Sequence, residues 1–156
     1  MIMYILLGLG ALSIFTGRLM AHMGLQNEKR EYLNKFGREK TKKEYQKIEF
    51  RMCKESSFYK KLLYIVIALW IAITIEVIIT VVLFMFASES SVISAAVLFF
   101  LLTISKCIGL FRYNLGLKKS EFVPINPTVQ QLNYGNFIIA VGFLFIALSL
   151  IISYIG

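Results

Sequence analysis

Apolar residues in this chain come in long unbroken blocks, not at amphipathic spacing. Four blocks stand out: Ile2 to Thr16, Leu62 to Phe86, Val92 to Phe111 and Phe137 to Ile155. About 18 or more apolar residues suffice to cross the ~30 Å hydrocarbon core of a bilayer as a helix. The last three blocks reach that length directly. The first reaches it when Met1 and Gly17 to Met20 are counted. The pattern predicts an all-α integral membrane protein with four transmembrane helices, over about 1–20, 62–86, 92–111 and 136–155. Residues 1–156 then form a single membrane domain, because these helices leave no stretch of the ~100 residues typical of a separate globular domain.

Polar residues separate the blocks very unevenly. Between the first and second blocks lies an insert, 18–61, that holds 13 of the chain's 17 Lys and Arg residues and six of its nine acidic ones. The connection from Ala87 to Ser91 carries Glu89 alone, and the stretch 112–135 carries Arg112, Lys118 and Lys119 against Glu121. Cytoplasmic loops carry the excess of Lys and Arg. The expected topology therefore has both termini outside, with the insert and the third connection in the cytoplasm. Tyr4 and Tyr154 fall at the expected outer interface, and Tyr59, Tyr64, Tyr113 and Tyr134 at the inner one, as suits interfacial aromatic belts. The opening Met-Ile-Met-Tyr lacks the positive n-region of a signal peptide, so the first block is read as a retained helix.

Within the insert, Asn27 is placed to cap a helix over 28–36 that Gly37 ends. Thr41 followed by Glu44 has capping-box spacing and predicts a second helix over about 42–56. Tyr32, Leu33 and Phe36 share one apolar face, and Tyr45, Ile48 and Met52 another. Gly17 and Gly24 predict an interruption between the first membrane helix and this hairpin. The expected result is a cytoplasmic amphipathic hairpin lying on anionic lipid headgroups. Lys29, Arg30, Lys35, Arg38, Lys42, Lys43, Lys47 and Arg51 form its membrane-surface or partner-binding face. A basic patch without a recognised motif is weak evidence for nucleic acid, and none is expected as a partner.

Polar residues inside the blocks are the candidates for mechanism. Glu76 stands mid-block, where an acidic side chain costs about 2.5 kcal/mol or more and so must face protein or water. Ala68, Ala72, Glu76 and Thr80 recur every four residues and form one stripe, the kind of small-residue surface that lets helices approach. Lys106 lies in the third block with Thr103 on its face. Counted from the Ala87–Ser91 turn, Glu76 and Lys106 are about ten and about 14 residues down, a depth difference of about 6 Å. They are expected to pair, as a clamp between helices or as part of an ion path. In the third connection, Asn126 followed by Pro127 starts the last helix, and Gly135 permits a bend. Gly8, Gly10 and Ala11, and Ala140, Gly142 and Ala147, are read as helix-packing positions.

No catalytic motif is present. The chain has one histidine, His22, and two cysteines, Cys53 and Cys107, with no CxxC, HExxH, P-loop, GxGxxG or GxSxG pattern. Neither a metal nor a cofactor is expected. The first reading is a non-enzymatic protein of a bacterial cytoplasmic membrane that acts by binding a protein partner or its own copies, as an immunity or protection protein or an accessory subunit. The second is a small oligomeric channel or transporter using Glu76 and Lys106.

Overall fold

The structure is a computed structural model of the chain, and it describes residues 1–36, 50–86, 88–119 and 127–155. Four long helices account for nearly all of them: α1 (Ile2–Phe36), α2 (Ser57–Met85), α3 (Ser90–Lys119) and α4 (Pro127–Ile155). A short helical stretch over 50–55 precedes α2. Each long helix contains a segment long and apolar enough to cross a membrane. These are Ile2–Gly24, Ser57–Met85, Ser90–Arg112 and Asn133–Ile155, with mean hydropathies of 1.7, 2.8, 2.1 and 2.7. Four such segments in one chain are the signature of a multi-pass membrane protein. Large apolar side chains point outward along them, among them Trp70, Ile78 and Phe137, each more than half exposed.

Helix ends follow local chemistry. Ser56 has extended backbone (φ −125°, ψ 108°), and its side chain accepts the Tyr59 N–H at 3.3 Å, which caps α2. At the other end the Phe86 and Ser88 N–H groups return to the Val82 and Leu83 carbonyls at 3.2 and 3.0 Å. Ser88 Oγ then accepts the Ser90 N–H at 3.3 Å and opens α3. The last helix starts at Pro127, as its sequence predicts, and runs through Gly135 without interruption.

The first helix departs from expectation. α1 continues through Gly17 and Gly24 as one helix to Phe36, so Asn27 is no cap and 28–36 is the far end of α1 rather than an arm of a separate hairpin. The expected second arm is described only over 50–55, where Met52 is buried, and it is broken from α2 at Ser56. Thr41, Glu44, Tyr45 and Ile48 lie outside the described residues.

The helices pack as a row in the order α1, α4, α3, α2. The α1–α4 contact is the most extensive, and it has a simple cause. Gly10 packs against the Gly142 carbonyl and Gly17 against the Gly135 carbonyl; a Cβ built on Gly10 or Gly17 would stand 2.9 or 2.6 Å from those oxygens. Reciprocally, a Cβ on Gly142 would lie 2.8 Å from the Gly10 carbonyl, and one on Gly135 would meet the Ala21 backbone. One step further along, Ser149 donates to the Met3 carbonyl at 2.9 Å. The series Met3, Gly10, Gly17 on α1 thus meets Ser149, Gly142, Gly135 on α4, antiparallel and every seven residues, the recurrence of a left-handed helix pair. α3 lies antiparallel on another face of α4: Phe99 meets Phe143 with ring centroids 5.9 Å apart, and Thr103 reaches the Ala140 carbonyl at 3.5 Å. Met1, the α2–α3 turn and Ile155 therefore share one end of the row, the terminal end. Ser57, Lys119 and Pro127 mark the other, the insert end.

Candidate functional site

Two polar constellations interrupt the apolar interior. Nearer the terminal end, α2 presents Glu76 and Thr80 one turn apart, and α3 presents the buried Ser94. Ser94 Oγ donates to Glu76 Oε1 at 2.6 Å. Thr80 Oγ1 donates to the Glu76 carbonyl at 2.8 Å and stands 2.8 Å from Ser94 Oγ. Each hydroxyl has a single proton. Ser94 spends its proton on the carboxylate, so the Thr80 proton is shared between the Glu76 carbonyl and Ser94. The arrangement gives a half-buried carboxylate a strong donor, and it ties α2 to α3 through side chains.

Nearer the insert end is a cleft of about 290 Å³ between α2, α3 and α4. Lys106 and Ser105 of α3 enter it, with Asn133 and Asn136 of α4 and Trp70 of α2 around them. Lys106 Nζ donates to Asn136 Oδ1 at 3.1 Å. At Gly109, also in the lining, an added Cβ would find no heavy atom within 4 Å.

Glu76 and Lys106 are not brought together. Lys106 stands level with Val66 and Trp70, which share its cleft, and Glu76 lies about 9 Å beyond Trp70 along α2 at ~1.5 Å per residue. Counting from the turn assumes that both helices leave it level. They do not: Ser94, one turn into α3, already faces Glu76 and Thr80, so the end of α2 overhangs α3. Phe84, Met85 and Phe86 in that overhang are 77, 78 and 81% exposed. The offset moves Lys106 toward the insert end and leaves each charged group with its own neutral partner.

The remaining expected positions divide. Ala72, Glu76 and Thr80 are half-buried, whereas Ala68 is exposed, so α3 covers only part of that stripe. Thr103 donates to the Phe99 carbonyl at 2.9 Å and faces α4, not α2. Arg51 is exposed. Lys29, Arg30 and Lys35 belong to the far end of α1, where side chains are not described, and Arg38, Lys42, Lys43 and Lys47 lie outside the described residues. At the foot of α2 the Arg112 guanidinium lies over the Tyr59 ring at 4.8 Å, and Phe58 meets Phe111 edge-on at 6.4 Å. Among the described residues no group of His, Cys, Asp or Glu could hold a metal ion. The sequence carries no spacing signal for Ser94, an isolated serine within an apolar block, or for Asn136, a single amide at the edge of one. No protein-family model matches the chain, and neither a curated protein nor a solved structure matches it.

Proposed function

We propose that the chain is a non-enzymatic multi-pass protein of a bacterial cytoplasmic membrane that acts by binding, as an immunity or protection protein or an accessory subunit of a membrane complex. The concentration of basic residues in the insert supports a cytoplasmic insert with both termini outside. The observation that supports binding is the uneven attachment of α2. Of its 29 residues only Tyr59, Leu62 and Ile73 are buried, and among the described residues α3 is its one extensive neighbour. In this reading α1 and α4, in backbone contact, are the platform with α3, and α2 is the helix it displays. The exposed Ala68 gives another helix room to approach, since small residues are what helix interfaces in lipid select.

Replacing Ala68 with a photo-crosslinking residue in cells tests this. A discrete adduct with one second polypeptide is expected. Adducts with lipid alone would overturn the proposal. The competing reading, a small oligomeric channel or transporter, draws on Glu76 as a carboxylate within an apolar helix, but the separation of Glu76 from Lys106 leaves it without a shared path in one chain. Ion flux through reconstituted protein, abolished in Glu76→Gln with the oligomer intact, would establish that reading instead.

A further inference from the structure

A cation set among apolar helices with no described anion beside it is electrostatically incomplete. Lys106 donates to Asn136, and the charged group that acts on it is a second cation, Arg18 of α1. Gly17 contacts Gly135, so the residues that follow them, Arg18 and Asn136, hold adjacent positions on the two helices, with Arg18 exposed and outside the cleft lining. Among the described acidic side chains, Glu76 is held by Ser94, and Glu55 and Glu89 are exposed, Glu89 at the opposite end. An ammonium has three N–H donors, and two positive charges near one cleft favour an anion between them.

Depth narrows the kind of anion. Arg112 ends the apolar segment of α3 and Asn133 begins that of α4, so both mark the bilayer edge at the insert end. Lys106 lies about 9 Å inside that edge at ~1.5 Å per residue, a depth from which a Lys side chain reaches toward headgroup level. The cleft thus spans from the headgroup zone into the acyl zone. Its polar groups are Ser105, Lys106, Asn133 and Asn136; Trp70 and the open space at Gly109 offer an apolar wall and a groove. Its ≈ 290 Å³ volume suits a headgroup and the start of a chain. Basic pockets between membrane helices near the cytoplasmic face bind lipid headgroups in this manner.

We propose that this cleft binds the phosphodiester of an anionic phospholipid from the insert-side leaflet. Lys106, oriented by Asn136, supplies the charge within the cleft, Arg18 adds to it from α1 outside the lining, and an acyl chain runs past Trp70 and Gly109. This holds whether or not α2 docks a protein partner.

Native mass spectrometry of the full chain, released from nanodiscs of phosphatidylglycerol or phosphatidylcholine, tests it. One retained phosphatidylglycerol and no retained phosphatidylcholine are expected. Lys106→Gln should lower retention about fivefold, the loss of one cationic headgroup contact, and Lys106→Arg should preserve it. A Cβ at Gly109, which lines the cleft, meets no neighbour, so Gly109→Leu should expel the lipid while the melting temperature in lipid-free detergent stays unchanged. Equal retention of both lipids, or full retention by both Lys106→Gln and Gly109→Leu, would overturn the proposal. Displacement of the lipid by millimolar glycerol phosphate would overturn it too, by assigning the cleft to a soluble phosphate ester.

Discussion

The α1–α4 and α2–α3 interfaces are both made by apolar helices, yet they are held by different forces. In lipid there is little hydrophobic drive to bring two such helices together, so association rests on close packing and interhelical hydrogen bonds. α1 and α4 use the first. Four glycines let the backbones touch over two heptads, and the glycine cost in helix propensity is offset by dispersion contacts along the whole seam. α2 and α3 use the second: one cluster of Glu76, Thr80 and Ser94 bonds them near one end. A seam of shape is distributed and tolerates no bulk. A bonded cluster is local, and its failure frees one helix while the rest stays folded.

Bulk on the seam should have the largest effect. In Gly17→Leu, the new side chain meets the Gly135 carbonyl at 2.6 Å and the Ile139 nitrogen at 2.9 Å, both backbone atoms that cannot turn aside. A cost of about 3 kcal/mol is expected, the upper end of ordinary overpacking, with α1 separated from α4. Gly8 is the control on the same helix: nothing lies within 4 Å of its added Cβ, so Gly8→Ala should be neutral or stabilising by up to about 1 kcal/mol. Cysteine crosslinking between α1 and α4, with unfolding in mixed micelles, reads both. A seam that survives Gly17→Leu would mean that packing alone does not hold this pair.

The cluster should respond more weakly and asymmetrically. Ser94→Ala removes the donor to Glu76 Oε1 and leaves a half-buried carboxylate unsatisfied, a loss of about 1–2 kcal/mol. Glu76→Gln keeps an oxygen for Ser94 and should cost under about 0.5 kcal/mol, since it also removes the expense of a charge in lipid. Crosslinks between α2 and α3 should weaken in Ser94→Ala while those between α1 and α4 persist. If Glu76→Gln proves the more damaging change, the carboxylate charge does something beyond clamping.

The same contrast explains what could be read from the sequence. Blocks of apolar residues are a one-dimensional signal, so four spans and the start of the last helix at Pro127 follow from composition and from the chemistry of proline. The α1–α4 seam was also written there, as Gly10 and Gly17 and as Gly135 and Gly142, each pair at a spacing of seven. It was obscured because glycine in a helix reads first as a breaker. Gly17 and Gly24 are expected to interrupt α1, yet both lie inside it, and at Gly17 the missing side chain lets α4 approach. Pairing of Glu76 with Lys106 could not be read, because it depends on the relative slide of α2 and α3. That slide is set by which hydroxyl the carboxylate finds, and Ser94 is one serine among several near the turn.

Ser149 tests whether the seam needs its polar end. It is almost wholly buried, and its hydroxyl donates to the Met3 carbonyl at 2.9 Å. Ser149→Ala keeps a small side chain and loses only that bond, so about 0.6 kcal/mol is expected, the average for interhelical bonds in lipid. Unfolding in mixed micelles is again the readout. A loss approaching that of Gly17→Leu would make the hydrogen bond, not the glycines, the dominant contact.

The smallest effect on the fold should come from the exposed side of α2, and there the comparison between interfaces extends beyond the single chain. Ala68 is exposed, so the added atoms of Ala68→Leu meet no described helix, and stability should change by less than about 0.5 kcal/mol. Bulk is destructive on the seam because a backbone lies opposite; at Ala68 it is destructive only if another protein lies opposite. Measured on the purified chain, Ala68→Leu should match wild type in unfolding and in both crosslinking pairs. Measured in native membranes, with the photo-crosslinking residue moved to the exposed Ile71 one turn along the same face, it should abolish the adduct. Loss of stability in the purified chain would place a contact of the chain itself at Ala68. An unchanged adduct in membranes would show that the partner does not approach through the small side chain, and α2 would then be held to its partner as it is held to α3, by polar bonds.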